Sequence, residues 1–464
     1  MPRIERSIMN FQRLLYPKTL AVIGVSKHNE MHPANVIYYK NLLRFPVSTY
    51  AVNPKAGLLK GQHAYRSIKE VPEKIDLAVI ASRAENVPLI LEECIEAEVG
   101  GAVIVSGGFS ETGRKDLQER IVAIAEGGNF PFIGPNCLGI LAPNHVDTFF
   151  FPTERLVTPE EGSVALISQS GGVLVDQTIR CRAEGVGISL AISIGNKAHV
   201  KEADFIDYLG DDPKTKVIGF YIEGFGKDEG KKFLEAAVNS KKPIVVMKPG
   251  KSPIASNAIS SHTASMAGDH AILSSILKQY GIVEANNPEE LLHFSEALSR
   301  FDQPTKGNIG IITVSGGHGV IASDMCSDMQ LKIPGITPDQ QQRIRDGVTP
   351  TVKEIATFTN PIDLTGSATD SDLVAAATEV GMIESIDCIL VLLLPYVPGI
   401  TMDIGAMLAH VYARTHKPII AYVPRVEKYQ MLIEGFEMNG LPVAHTLEGA
   451  VQMASALMRY NKVR

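Results

Sequence analysis

The chain has 464 residues, 45% of them apolar, and a formal net charge of -7. At ~150 residues per domain that length predicts about three domains with proper interiors, and the absence of a long Lys/Arg run excludes a nucleic-acid surface built on clustered cations. Five scattered cysteines, Cys94, Cys137, Cys181, Cys326 and Cys388, form no CxxC pair, so neither a disulfide framework nor a zinc site is expected and a reducing cytoplasm is the natural setting.

The first residues, Arg3-Ile-Glu-Arg-Ser7, lack the apolar core of a signal peptide, so secretion is not expected. Short β-branched runs then recur between amphipathic stretches: Leu20-Ala-Val-Ile23, Ser48-Thr-Tyr-Ala-Val52, Asp76-Leu-Ala-Val-Ile80, Ala102-Val-Ile-Val105 and Phe132-Ile133. Strands alternating with helices predict a doubly wound α/β domain over 1–150. Each run ends in small or turn-forming residues, at the strand ends where open α/β sheets bind ligands. The candidates are Gly24, Val25, Ser26 and Lys27; Asn53, Pro54 and Lys55; Ser82; Gly108 and Phe109; and Pro135, Asn136 and Cys137.

A dinucleotide site would carry G-x-G-x-x-G after the first strand and a carboxylate after the second. This chain has Gly24-Val-Ser-Lys27 and Lys55 instead, which disfavours an NAD-dependent oxidoreductase. A lysine at that point suits a ligand with an extra phosphate near its ribose, as coenzyme A has, although either lysine is as readily a solvated side chain.

A second domain, 151–303, begins around the Thr158-Pro159 break, and an internal repeat appears there. Gly162-Ser-Val-Ala-Leu-Ile-Ser-Gln-Ser-Gly-Gly172 aligns without a gap on Gly307-Asn-Ile-Gly-Ile-Ile-Thr-Val-Ser-Gly-Gly317. Both copies read as a buried strand, a Ser-Gly-Gly turn and a helix, the arrangement that presents backbone N–H groups and a positive dipole end to an anion. Ser168, Gln169, Ser170, Gly171 and Gly172 in one copy, and Ser315, Gly316 and Gly317 in the other, are candidate phosphate binders. A tight strand-to-helix turn needs glycine for packing in any case, so neither copy alone decides the matter.

Between the copies lies Ser260-Ser-His-Thr-Ala-Ser-Met-Ala-Gly-Asp269, which sets His262 among small hydroxylated residues. An imidazole neutral near pH 7 attacks phosphorus without first losing a proton, so His262 is the candidate phosphoryl carrier. Any single one of the twelve histidines is more often an ordinary surface or core residue; the two flanking turns single out this one. Glu223, in Tyr221-Ile-Glu-Gly224 after the run Lys216-Val-Ile-Gly-Phe220, is the candidate partner that fixes the imidazole tautomer. A third domain, 304–464, runs through Asn360-Pro-Ile-Asp-Leu-Thr-Gly366 and Lys417-Pro-Ile-Ile-Ala-Tyr422. Its apolar run Cys388-Ile-Leu-Val-Leu-Leu-Leu394 is short of the ~20 residues of a membrane span and reads as a buried strand.

These residues resemble the α subunits of NDP-forming acyl-CoA synthetases, relatives of the succinyl-CoA synthetase α chain. The resemblance runs along nearly the whole chain, through Val52-Asn-Pro-Lys55, Gly134-Pro-Asn-Cys-Leu-Gly139, Ser168-Gln-Ser-Gly171, Gly195-Asn-Lys197, Tyr221-Ile-Glu-Gly224, Lys242-Pro243, Ser261-His-Thr263 and Asn360 to Gly366. It implies a Rossmann-like CoA-binding domain followed by two flavodoxin-like, doubly wound domains. It also implies a reversible reaction in which acyl-CoA, phosphate and ADP give a free carboxylate, CoA and ATP. By the resemblance, phosphate attacks the thioester, the acyl phosphate passes its phosphoryl group to His262, Glu223 steadies the phosphohistidine, and the two Ser-Gly-Gly turns hold phosphate. The ATP-grasp module that completes the reaction is expected on a separate β subunit, in an α2β2 complex, together with the nucleotide and Mg2+.

The chain departs from the resemblance at Ala264, where glycine usually follows the threonine, at Ala255, and in the first turn, Gly24 to Pro33. The competing expectation is therefore a CoA-binding regulatory or scaffold protein whose catalytic loop has drifted. Which carboxylate is used, and whether ADP or GDP, is not legible in the sequence.

Overall fold

Parallel strands covered by helices on both faces are apolar at every position, and this is why the aliphatic runs of the chain carry no alternation. The computed structural model describes residues 11–55, 57–252, 254–255 and 270–460. It divides into two units, Met1–Ile276 and Leu277–Arg464.

The first sheet of the first unit contains β1 (Thr19–Ile23), β2 (Ser48–Val52), β3 (Leu58–Leu59), β4 (Gln62–Tyr65), β5 (Leu77–Ile80), β6 (Gly101–Ile104) and β7 (Phe132–Ile133), in the order β3-β4-β2-β1-β5-β6-β7. From β4 to β7 every pairing is parallel, which reproduces the strand order 3-2-1-4-5-6 of the Rossmann fold. The order reverses at β1, so its carboxyl end, with Gly24, opens onto a crevice shared with the end of β5. Helices α1 (Phe11–Leu15), α2 (Pro33–Arg44), α3 (Val87–Glu96) and α4 (Lys115–Gly127) accompany this sheet. Leu91 and Cys94 of α3 and Ile121 and Ala125 of α4 bury against Ala78, Ile80, Ala102 and Ile104.

The second sheet takes in β8 (Gly139–Ala142), β9 (Val146–Asp147), β10 (Glu161–Ser168), β11 (Ile188–Ser193), β12 (Val217–Tyr221) and β13 (Ile244–Met247). Within the first unit these run β13-β12-β10-β11-β8-β9. The succession β11-β10-β12-β13 is parallel and follows the flavodoxin order 2-1-3-4, with α5 (Gly171–Ala183), α6 (Glu202–Asp211) and α7 (Glu229–Asn239) between strands. β8 and β9, whose residues the sequence groups with the first domain, instead form antiparallel pairs on the edge of β11.

A buried ion pair joins β9 to α2. Lys40 Nζ lies 2.7 Å from Asp147 Oδ2, with both side chains 4% exposed. Asn41 Nδ2 donates to the Asp147 carbonyl at 2.7 Å, and Asp147 N–H donates back to Asn41 Oδ1 at 3.0 Å. Burial raises the Asp147 carboxyl above its ordinary range despite Lys40 beside it.

In the second unit β14 (Val283–Ala285) precedes β15 (Ile309–Thr313), β16 (Ile362–Asp363), β17 (Cys388–Leu392), β18 (Ile419–Tyr422) and β19 (Val443–Ala444). The parallel order β16-β15-β17-β18-β19 is the complete flavodoxin succession 2-1-3-4-5. The run beginning at Cys388 is its central strand, buried at every position. Asn360 explains the local need for its motif: its Nδ2 donates to the Ile309 and Pro334 carbonyls at 2.8 and 3.0 Å, and its Oδ1 accepts from Ile311 N–H at 3.0 Å.

All five cysteines are free and buried. Among the described residues no helix is long and apolar enough to cross a membrane.

Candidate active site

In each flavodoxin-like sheet the chain reverses its winding at the strand that carries a Ser-Gly-Gly turn, β10 in the first unit and β15 in the second. The two turns are built alike. Ser168 Oγ donates to the Ser170 carbonyl at 2.7 Å and accepts from Ser170 N–H at 3.1 Å; Thr313 Oγ1 does the same for Ser315 at 2.9 and 3.0 Å. The glycines also match. A Cβ on Gly171 would sit 3.0 Å from Leu138 Cγ and one on Gly316 would sit 2.8 Å from Asp363 Oδ2, whereas Gly172 and Gly317 have nothing within 4 Å. The first glycine of each turn thus serves packing, and the second leaves the helix N-terminus uncovered, where backbone N–H groups and the dipole favour an anion.

The copies differ in what the serine side chain does. Ser170 Oγ accepts from Val173 N–H at 3.4 Å and caps α5. Ser315 makes no side-chain cap on its helix, Gly316–Asp328, and is 3.0 Å from His318 Nδ1. A carboxylate of the protein, Asp363, lies against this second turn.

A cavity of about 370 Å³ opens in the first unit between the carboxyl ends of its two sheets. Asn136, Cys137 and Leu138 line it from the segment after β7, Gln169, Ser170 and Gly171 from the turn after β10, Gly195, Asn196 and Lys197 from the turn after β11, and Glu223 from the end of β12. Glu223 and the first Ser-Gly-Gly turn therefore share one cavity. The Gly195 backbone has φ +51°, and a Cβ there would meet the Asn136 carbonyl oxygen at 2.2 Å, so glycine is required where these two turns close on each other.

Around Glu223 the electrostatics are those of a part-buried carboxylate. Tyr221 hydrogen-bonds to it, and burial together with that negative charge drives the Tyr221 hydroxyl far above its ordinary value. Burial lowers Lys248, while the Glu223 carboxylate opposes that shift. Lys197, 7% exposed, lies 2.8 Å from Glu202 and 2.9 Å from Glu229. Burial alone would raise Glu229, but Lys197, Lys201 and the Gly226 N–H outweigh it and hold the carboxyl at about 2. Asn196, Lys197 and Lys248 are site residues that the sequence alone does not single out. Their signal was a glycine-bounded turn at a strand end, Gly195-Asn-Lys197 or Lys248-Pro-Gly250.

The cofactor-binding candidates collect at the carboxyl edge of the first sheet. Gly24, with φ +105°, lies so close to the neighbouring strand end that a Cβ would be 2.2 Å from the Ala81 carbonyl oxygen. Ser26 N–H donates to Asn35 Oδ1 at 2.6 Å, Lys55 N–H donates to Asn53 Oδ1 at 2.8 Å, and Ser82 N–H donates to Ser106 Oγ at 3.1 Å. Lys27, Pro54 and Lys55 are exposed, and Gly24, Ser26, Asn53, Ser82 and Gly108 are partly so. Val25 and Phe109 are fully buried and Pro135 and Cys137 are buried, so the side chains of Val25 and Phe109 belong to the core and leave only backbone for a ligand. Cys137 and Asn136 line the cavity beside Glu223. The crevice suits CoA in one physical respect, two exposed lysines flanking a glycine turn at a switch point. His262 lies outside the described residues, as does Ala264.

Residues 18–143 match the family described as a CoA binding domain, 161–298 the succinyl-CoA ligase like flavodoxin domain, and 309–421 the ligase-CoA domain. The chain is 33% identical over 458 residues to the α subunit of ADP-forming acetate–CoA ligase II of Pyrococcus furiosus, covering 96% of this chain and 97% of that one. The chain belongs to the ADP-forming acyl-CoA synthetase α-subunit family. It is also 34% identical over 456 residues to ADP-forming acetate–CoA ligase I of Archaeoglobus fulgidus, where it spans 97% of itself but 64% of that longer synthetase. Among solved structures it is similar, with a TM-score of 0.84, 30% identity and 97% coverage of both chains, to the acetyl-coenzyme A synthetase 1 of Ca. Korarchaeum cryptofilum, described as dinucleotide forming and in complex with phosphate and ADP. The three matched segments are of the domain types that the sequence resemblance implies.

Proposed function

We propose that this chain is the α subunit of an ADP-forming carboxylate–CoA ligase, which converts acyl-CoA, phosphate and ADP to a carboxylate, CoA and ATP. The observation that carries the reading is the cavity lined by both Glu223 and the Ser170-Gly171 turn at the start of α5. A carboxylate to orient an imidazole and a helix end to neutralise phosphoryl oxygens are the provisions that phosphoryl transfer to histidine needs.

In the proposed sequence, phosphate oxygen attacks the thioester carbonyl, the C–S bond breaks, and CoA leaves as a thiolate that takes up a proton. His262 then attacks phosphorus of the acyl phosphate and the carboxylate departs. The positive phosphoimidazole is steadied by Glu223 through the other ring nitrogen. Ser168 to Gly172 receive the phosphate on the first unit, with Ser315 to Gly317 as the corresponding site on the second. CoA occupies the crevice after β1 and β5, with Lys27 or Lys55 toward the phosphate on its ribose. Three domains, 1–150, 151–303 and 304–464, divide this work.

The nucleotide and Mg2+ belong to an ATP-grasp β subunit, in an α2β2 assembly. The relatives described as α subunits support a separate partner. A cytoplasmic location accords with five buried free thiols.

The test is reconstitution with an ATP-grasp partner chain. ADP and phosphate with a panel of acyl-CoA thioesters should yield ATP and free CoA in equal amounts. CoA binding without ATP formation for any thioester would instead establish a drifted, non-catalytic binding protein.

A further inference from the structure

Glu223 and Gly224 follow β12 without a regular element to receive their backbone groups, yet each of their four main-chain polar groups has a partner. Gln169 Oε1 accepts from both the Glu223 and Gly224 N–H groups, the latter at 3.1 Å. Lys248 Nζ donates to the Glu223 carbonyl at 3.1 Å. Lys197 Nζ donates to the Gly224 carbonyl at 2.8 Å. The three side chains follow the carboxyl ends of β10, β11 and β13; Gln169 accepts two of the four bonds and each lysine donates one.

Buried backbone groups need hydrogen-bond partners, and ordering a lysine or glutamine to supply one costs rotamer freedom. Lys197 is held further: its own backbone sits at φ +41°, uncommon for a residue with a side chain, and its ammonium is 5.1 Å from the Phe225 ring centroid. Its charge is matched by Glu202 and Glu229, which leaves the carboxylate of Glu223 uncommitted to it.

We propose that Gln169, Lys197 and Lys248 form a cradle that fixes the main chain at Glu223, and so act as positioning residues for the carboxylate that orients the phosphoryl-accepting imidazole. The proposal rests on the functional reading above. It reassigns Gln169: its carbonyl oxygen faces two N–H groups of the protein, and a phosphate would meet its turn through backbone groups. Lys197 serves through geometry, whereas Lys248, next to the Glu223 carbonyl, also adds positive charge near the carboxylate.

The experiment has two arms on the full chain. In the first, amide hydrogen exchange is followed in the peptide containing Glu223 and Gly224. Gln169→Leu should accelerate its exchange roughly tenfold or more, with peptides of β1 and β15 unchanged. In the second, single-turnover labelling from acetyl phosphate is measured over pH. Lys248→Met should lower the maximal rate by roughly 30- to 100-fold with the half-saturating concentration unchanged, the effect expected of a group displaced by about an ångström. Lys248→Arg, which keeps a donor, should recover much of it. Lys197→Met strands the buried Glu202 carboxylate and is expected to unfold, so it is not the deciding variant. Exchange unchanged in Gln169→Leu, or wild-type labelling in Lys248→Met, overturns the cradle and leaves the functional reading standing. A wild-type chain that takes no label overturns that reading, and with it the role assigned here.

Discussion

Ser170 and Ser315 hold the same place in two copies of one strand-turn-helix unit, yet Ser170 caps its helix through Val173 N–H while Ser315 turns to His318. An N-cap hydroxyl removed by alanine costs about 1 kcal/mol. Ser170→Ala should therefore lower the unfolding free energy by roughly that amount and also slow phosphoryl uptake, because the helix end loses a group at the anion site. Ser315→Ala should cost less than about 0.5 kcal/mol. Urea unfolding of both variants decides it, and equal losses would contradict the distinction.

The Lys40–Asp147 pair is a buried ionic link between α2 and β9. Breaking a buried pair by removing one partner typically costs about 3–5 kcal/mol, because the remaining charge stays desolvated. Lys40→Met should fall in that range, and the double variant Lys40→Met with Asp147→Leu should regain most of the loss. A loss below about 1 kcal/mol for the single variant would mean that Asp147 is neutral in the folded chain, the direction in which burial pushes it.

Glu229 supplies the acid limit. Its carboxyl lies at about 2 in the folded chain against an ordinary 4.5, so on acidification the unfolded state takes the proton first. The stabilisation, on the order of 3 kcal/mol, is present above pH 4.5 and drains away between about 4.5 and 2. The difference in unfolding free energy between the wild type and Glu229→Gln, followed against pH, should shrink across that window. A difference that does not change with pH would contradict the pairing with Lys197 and Lys201.

Lys55 stands exposed just after β2, where a cation suits a phosphate on the ribose of CoA. Lys55→Ala should weaken CoA about fivefold, near 1 kcal/mol for an exposed charge, and leave 3′-dephospho-CoA unaffected. Calorimetric titration of both ligands tests this. An equal loss for both would move the lysine away from that phosphate.

Much of this was legible in the residues because it is local. The strands β1, β2, β5, β6 and β7 begin and end within a residue or so of their aliphatic runs, since a parallel strand between helices needs unbroken apolar sequence and gives way to small or turn-forming residues. The Ser-Gly-Gly copies could be aligned because the same turn was built twice. Glu223 could be found because it follows a strand and precedes a glycine.

What escaped depends on pairing across the chain. Gly139-Ile-Leu-Ala142 reads equally well as a strand of either sheet, and its hairpin partner β9 is held through Asp147 by Asn41, 106 residues away in sequence. Lys197 and Lys248 look like solvated lysines until the sheet order brings β10, β11 and β13 around the end of β12. Phe109 and Val25 looked like ligand-side residues because their glycine neighbours marked a turn; nothing local says that their side chains point into the core.

The central claim is tested most directly by locating the phosphoryl group. Incubated with acetyl phosphate, or with phosphate and an acyl-CoA, the chain should acquire one acid-labile, base-stable phosphoryl group, mapped by mass spectrometry to His262, lost in His262→Ala and much reduced in Glu223→Gln. Phosphate on another residue, or none on His262 even with the ATP-grasp partner present, would contradict the account.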